Sequence, residues 1–165
     1  MPHDSPDIMT EAMSRFRAGD LRGAEQLCKQ ELGDQPENAE ALHLLGVLAH
    51  RAGRRGDAIQ LVRNALSHAP DNTACLNTLG FLLRLDQKYQ DAEAALSRAI
   101  ALKADYADAH NNLGIVYAES GDPTRAEASY REALKHRPEF PEAHSNLGNL
   151  LYRMGRLDDA VAADE

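Results

Sequence analysis

The sequence predicts an all-α solenoid of stacked antiparallel helix pairs, and three observations predict it. Leu45-Gly46, Leu79-Gly80, Leu113-Gly114 and Leu147-Gly148 recur at a constant interval of 34 residues. Within each interval, apolar and small residues fall twice at the spacing of one helical face. Glycine and proline punctuate those two stretches at repeating offsets. A repeat this short cannot bury its own apolar face, so it stacks on its neighbours, and function belongs to the surface the stack creates.

In register, the repeats run 5–38, 39–72, 73–106, 107–140 and 141–165, the fifth being incomplete. Counted from the first residue of each block, positions 4, 7, 8 and 11 carry Leu42, Leu45, Gly46 and Ala49 in the second repeat, and Leu76, Leu79, Gly80 and Leu83 in the third. The fourth has His110, Leu113, Gly114 and Tyr117, and the fifth His144, Leu147, Gly148 and Leu151. This i, i+3, i+4, i+7 spacing defines a first helix, helix A.

A second set, at positions 20, 24, 27 and 28, defines helix B: Ala58, Val62, Ala65 and Leu66, then Ala92, Leu96, Ala99 and Ile100, then Ala126, Tyr130, Ala133 and Leu134. Between the helices, Gly53, Gly121 and Gly155 suit a short turn that needs positive φ. Asp122-Pro123 reads as an N-cap followed by proline at the first helical position. Pro36, Pro70 and Pro138, at position 32, are expected to stop helix B. Glycine at position 8 and alanine at positions 20 and 27 thin the two helices where they cross, while Leu, Val and Tyr fill the grooves beside them.

This pattern resembles the tetratricopeptide repeat (TPR) family, whose consensus is matched most fully by His110, Leu113-Gly114, Tyr117, Ala126, Tyr130 and Pro138. The resemblance covers nearly the whole chain and implies a right-handed superhelix in which helix A lines a concave, partner-binding face. The departures are local. Glu11 and Ala12 replace Leu-Gly in the first repeat, consistent with a degenerate capping repeat; Gln87 replaces the turn glycine and Ala104 the proline of the third. Asp164 stands where the fifth repeat would carry an aromatic, which leaves Leu150, Leu151 and Val161 with less expected cover than their equivalents.

Composition narrows the function. The 165 residues suit a single domain, 1–165, and an array of this size buries roughly 70% of its unfolded surface. A hydrophobic content of 43% with 5% aromatic and no Trp fits a helical stack rich in Ala and Leu. A net charge of −8 argues against nucleic acid or an anionic membrane as the main partner. No apolar run approaches the roughly 20 residues of a membrane span. Residues 1–10 are acidic and Pro-containing rather than signal-like, so a cytoplasmic location is the expectation.

Cys28 falls at an apolar packing position of helix B and Cys75 near the start of helix A, so both are expected to be packed thiols. His110 and His144 occupy the consensus aromatic position and are expected to pack in the core. His43 and His50 share a face without a third ligand beside them, so no metal site is predicted. Neither a phosphate-binding glycine loop nor a spaced nucleophile, base and acid is present. The expectation is a non-enzyme without cofactor.

The binding residues follow from the resemblance, which points positions 2, 5, 6, 9, 12 and 13 of helix A into the groove. In the second repeat these include His43, Val47, His50 and Arg51; in the third, Asn77, Thr78, Phe81 and Arg84. The fourth supplies Asn111, Asn112, Ile115 and Glu119, and the fifth Ser145, Asn146, Asn149, Tyr152 and Arg153. An Asn side chain carries both a donor and an acceptor and can therefore read a peptide backbone whatever its side chains. Asn112 and Asn146, one repeat apart, are similar to the asparagine ladder of O-linked N-acetylglucosamine transferase repeats, as are the stretches 109–114 and 143–148. Leu44 and Thr78 break that ladder in the preceding repeats.

Arg17, Arg51, Arg84 and Arg153 recur at the end of helix A. They favour the helix dipole by roughly 0.3–1 kcal/mol each, or they form a basic strip selecting an acidic segment or a C-terminal carboxylate. The carboxylate clamp of chaperone-binding repeats is not matched as a set, because His43 and Val47 stand where its Lys and Asn would be. The favoured function is a scaffold that binds a peptide or protein segment in the groove. Two alternatives stand beside it: the N-terminal recognition arm of a longer enzyme such as a glycosyltransferase, and a self-assembling protein joined as a homo-oligomer through Leu150, Leu151 and Val161.

Overall fold

The computed structural model describes residues 7–156. Among them the chain forms nine α-helices and no strand: α1 (Ile8–Arg17), α2 (Leu21–Asp34), α3 (Ala39–Arg51), α4 (Arg55–His68), α5 (Thr73–Leu85), α6 (Tyr89–Leu102), α7 (Ala107–Ser120), α8 (Pro123–His136) and α9 (Pro141–Arg153). Odd-numbered helices are the expected helices A and even-numbered ones the helices B. The chain divides into two compact units, Met1–Cys75 and Leu76–Glu165, with the boundary inside α5.

In the first unit α1 packs on α2, α3 on α4, and α2 against α3. The core between the two hairpins is small and mostly aliphatic: Met9, Ala12, Ala24, Cys28, Ala41, Leu44 and Leu48 are buried, with Phe16 and Leu45 packed at its edge. Ala12 thus does in the degenerate first repeat what glycine does elsewhere. At Gly46 the second hairpin closes tightly, since an added Cβ would lie 2.7 Å from Val62 Cγ2. Asn38 caps α3 by accepting from the Glu40 and Ala41 amides at 3.1 Å. The cap is itself held, because the buried Glu31 accepts from Asn38 Nδ2 at 2.7 Å and from Gln35 Nε2 at 2.9 Å.

In the second unit α7 packs on α8, α6 against α7, and α8 against α9. Leu82, Leu83, Leu96, Val116 and Leu151 are its fully buried large side chains. Asp122 accepts from the Arg125 amide at 3.0 Å and Pro123 opens α8, so this helix begins as its sequence predicts. The asparagine that caps earlier repeats is replaced at the head of α9 by Phe140, which makes no capping bond and is buried instead with Ala107, Ala133 and Ala143.

Several expectations need correction. Proline is not required to end helix B: α2, α4 and α8 stop two residues before Pro36, Pro70 and Pro138 as expected, but α6 stops at the same register position although it is followed by Ala104. The residues that follow, Gln35, Ala69, Lys103 and Arg137, all turn to extended φ between −130° and −141°. Leu150 and Leu151 are 5% and 1% exposed, as well covered as their equivalents, so they offer no apolar patch to a second copy. Val161 and Asp164 lie outside the described residues. The helix-A pattern also missed two buried registers, position 3, filled by Ala41, Cys75, Ala109 and Ala143, and position 10, filled by Leu48, Leu82, Val116 and Leu150.

Candidate binding face

The second unit brings the helix-A positions of three repeats together, and the chain arithmetic of their pairing is simple. Residues 35 apart, one repeat plus one place, lie side by side across successive helices A. Asn112 Nδ2 donates to Asn77 Oδ1 at 2.9 Å, and Asn146 Nδ2 donates to Asn111 Oδ1 at 3.0 Å. Arg84 Nη1 donates to Glu119 Oε1 at 2.6 Å. The amides expected to read a peptide backbone are therefore tied to each other first. Asn111 is buried at 6% exposure and serves as a seat for Asn146 rather than as open surface. Asn112 spends one of its two N–H groups on Asn77 and keeps its carbonyl.

The expected basic strip is likewise divided. Arg84 is only 14% exposed in its side chain, is paired with Glu119 and lies 5.4 Å from the centroid of the Phe81 ring. In the first unit Arg51 stands 4.4 Å over Phe16, a cation–π contact between the ends of α3 and α1. Arg17, Arg51, Arg84 and Arg153 all sit in the last turns of their helices, the geometry that the helix dipole favours. His43 and His50 are half-buried in the first unit, and burial holds the His43 imidazole below the ordinary histidine range. On the second unit's face, Phe81 and Ile115 are half-buried, while Asn149, Tyr152 and Arg153 of α9 are exposed. Tyr152 keeps 68% of its surface.

His110 and His144 do not act as core aromatics. Each donates from Nε2 to a carbonyl six residues earlier, His110 to Ala104 O at 2.9 Å and His144 to Pro138 O at 2.8 Å, and so pins the loop that leads into its own helix. The His110 ring also stacks on His136, centroids 5.4 Å apart. Cys28 and Cys75 are buried as expected, and burial pushes both thiols up to about 11. Among the described residues no group of three His, Cys, Asp or Glu is placed to hold a metal ion. No described helix is long and apolar enough to cross a membrane.

One constellation escaped the sequence reading. Glu93 Oε1 accepts from Tyr117 Oη and from Arg125 Nη1, both at 2.9 Å. Arg125 Nε donates to Asp122 Oδ2 at 2.6 Å while its guanidinium lies 4.2 Å over the Tyr117 ring. The Arg125 amide and side chain together hold the Asp122 carboxyl below the usual carboxylate range. Glu25 with Arg54 and Glu127 with Arg156, each 29 residues apart, join neighbouring repeats in a related way. The recurrence of glutamate at residues 25, 93 and 127 was the available signal.

The architecture has clear relatives. The family of the cilia and flagella-associated protein 70 middle TPR-like domain matches residues 12–136, and the tetratricopeptide repeat family matches residues 114–165. A crystal structure of MamA is 30% identical with a TM-score of 0.79, the match covering 93% of this chain and 90% of that one. A thermophilic TPR protein of Thermus thermophilus is 26% identical with a TM-score of 0.79, over 94% of this chain and 86% of its own. Pseudomonas aeruginosa pilF, 22% identical over 94% of this chain and 71% of its own, shares the fold with a TM-score of 0.87. No curated protein matches the chain in sequence.

Proposed function

This chain belongs to the tetratricopeptide-repeat family, a fold of protein-interaction scaffolds, and from that premise we propose that it is a non-catalytic scaffold binding a peptide or protein segment across the helix-A face of its second unit. The observation that carries the reading is Tyr152: a large aromatic with 68% of its surface exposed, flanked by the exposed Asn149 and Arg153, in a chain whose aromatic content is 5%. Aromatic and arginine side chains supply binding energy out of proportion to their number. Asn112 and Ile115 extend the same face along α7, and the side-chain hydrogen bonds of Asn112 to Asn77 and Asn146 to Asn111 tie its repeats together, an ordering that binding then need not supply. The glycosyltransferase-arm alternative draws on Asn112 and Asn146, whose amide groups are here partly used in bonds between repeats.

A short segment on such a face is a small interface, so affinity near micromolar, about −8 kcal/mol, is the expectation. The test is selection of peptides from a random displayed library, followed by titration of an enriched peptide against wild type, Tyr152→Ala and Asn149→Ala. A tenfold or greater loss for Tyr152→Ala supports the reading. Failure of any peptide to enrich, or affinities indifferent to both substitutions, rejects it.

A further inference from the structure

We infer that the first unit carries a docking surface of its own, a cluster of exposed arginines at the turns inside its two helix pairs, and that this surface takes an acidic protein segment. Residues 15–22 and 51–55 hold Arg15, Arg17, Arg22, Arg51, Arg54 and Arg55, six of the chain's 18 lysines and arginines, against the single acid Asp20. All six are exposed. The fold gathers them on one edge. Arg51 lies 4.4 Å over the ring of Phe16, which sets the ends of α1 and α3 side by side. Arg54 stands 3.5 Å from Glu25, one turn along α2 from Arg22, which does the same for the starts of α2 and α4. Three-residue turns join α1 to α2 and α3 to α4, so the four helix ends meet.

Helix electrostatics accounts for only part of this cluster. The dipole favours cations in a last turn, as at Arg17 and Arg51, but Arg22, Arg54 and Arg55 stand at the starts of α2 and α4, where it disfavours them. Neighbouring carboxylates account for little more. At the corresponding turns of the second unit, cations are neutralised at short range: Arg84 by Glu119 at 2.6 Å, Arg125 by Asp122 at 2.6 Å, and Lys88 at 2.7 Å by Asp86, the residue 35 places after Arg51. In the first unit Arg15 is held by Glu11 at 2.9 Å, while Asp20, spent on capping α2, stays 3.6 Å away from it. Arg54 is 3.5 Å from Glu25 and 3.6 Å from Asp57. Among the described residues no hydrogen bond or ion pair engages the side chains of Arg17, Arg22 or Arg51. Like charges crowded at disfavoured places cost the folded chain free energy, and an anion from outside relieves it.

The occupant follows from the surrounding charge. The chain as a whole carries −8, so a long polyanion or an anionic membrane laid across this edge also meets the negative remainder of the surface. A short segment does not, because charges more than about 8 Å away are largely screened at physiological ionic strength. Asp and Glu side chains suit the planar guanidinium, whose N–H groups engage a carboxylate in pairs. This surface belongs to the first unit and Tyr152 to the second, so the two are separable.

The test is titration of the full chain, by fluorescence anisotropy, against two labelled decapeptides, one alternating Glu and Ser and the other Gln and Ser. The expected result is at least tenfold tighter binding of the Glu peptide at low salt, with most of that preference lost at high salt. Arg17→Gln, Arg22→Gln and Arg51→Gln combined should cut the preference at least fivefold, and Arg22→Gln alone, which disturbs no packed ring, at least twofold. Lys103→Gln, Arg131→Gln and Lys135→Gln combined remove the same charge from the second unit and should leave it within twofold. Equal binding of the two peptides, or equal losses in the two triple variants at wild-type helicity, overturns the assignment. Tighter binding of phosphatidylserine vesicles or of single-stranded oligothymidine than of the Glu peptide overturns the choice of partner. Tyr152→Ala should leave the Glu preference unchanged; a preference lost there assigns the contact to the second unit and overturns this surface while the scaffold reading stands.

Discussion

Gly114→Ala should destabilise the protein even though alanine is the better helix former. An ideal Cβ at residue 114 would lie 2.5 Å from Tyr130 Cε1, 2.6 Å from Cδ1 and 3.1 Å from Cγ. Non-bonded carbons are comfortable at about 3.5–4.0 Å, so the ring or the helix must shift by close to an ångström. The ring has little room to do so: Tyr130 is 3% exposed, and burial pushes its phenol up to about 12. The propensity gain of Ala over Gly is about 1 kcal/mol. Overpacking a filled core costs about 1–3 kcal/mol, and a rigid ring edge belongs at the upper end.

The net expectation is a loss of about 2 kcal/mol, or a fall in Tm of roughly 4–8 °C for a chain of this length. Gly114→Leu should cost more. Gly56→Ala, in α4, is the control, since nothing lies within 4 Å of an added Cβ there; only the propensity gain, about 0.5–1 kcal/mol, should remain. Urea and thermal unfolding followed by circular dichroism at 222 nm read both. The reasoning is refuted if Gly114→Ala is as stable as wild type, or if the two substitutions shift stability in the same direction. A Tyr130→Leu change should cost less in the Gly114→Ala background than in wild type, because it relieves the clash.

Gln87 holds the turn between α5 and α6 with φ of 58°, a region that costs a non-glycine residue about 1–2 kcal/mol, so Gln87→Gly should raise the unfolding free energy by a net of about 0.5–1 kcal/mol once glycine's chain entropy is subtracted, read as a higher urea midpoint. Cys28 and Cys75, buried and pushed up to about 11, should be silent to a thiol reagent at neutral pH and react as two thiols only on unfolding; fast native-state labelling would contradict their packing. His43 is held below its ordinary value of 6.5 by burial, so the unfolded chain takes up its proton first. Its contribution to stability is therefore full above that value and is lost as pH falls through it toward the folded value; His43→Gln should flatten the fall in stability that begins as pH drops through 6.5, and an unchanged slope would refute the assignment.

The fold was legible because every signal for it is local or strictly periodic. Glycine at position 8 facing position 24 reappears as Gly46 on Val62, Gly80 on Leu96 and Gly114 on Tyr130, so one correct register places every crossing. What escaped was conditional on context. Gln87 adopts the turn conformation without being glycine, and α6 ends on time without proline, because neighbouring repeats impose the geometry that the local residue only favours. His110 and His144 sit where the register puts them but do not serve as the aromatics that the register implies. An imidazole has an N–H that a phenyl ring lacks, and each spends it on a loop carbonyl.

The binding face was harder still, because its chemistry belongs to pairs rather than to residues. An arginine at the end of helix A is a basic contact only if the residue 35 places on does not neutralise it. Arg84 fails that condition with Glu119, and Asn77 and Asn111 find amides at the same offset. Reading single positions as a basic strip therefore overstates the charge offered to a partner. The offset turns this into a rule for the chain: Glu119→Gln should leave the stack in place yet restore the positive charge of Arg84 to the face, with a selective gain for acidic over neutral peptides. The same substitution would change nothing if the face were read by Tyr152, Asn149 and Arg153 alone, so the sign of that one difference decides whether partner recognition extends from α9 back to α5.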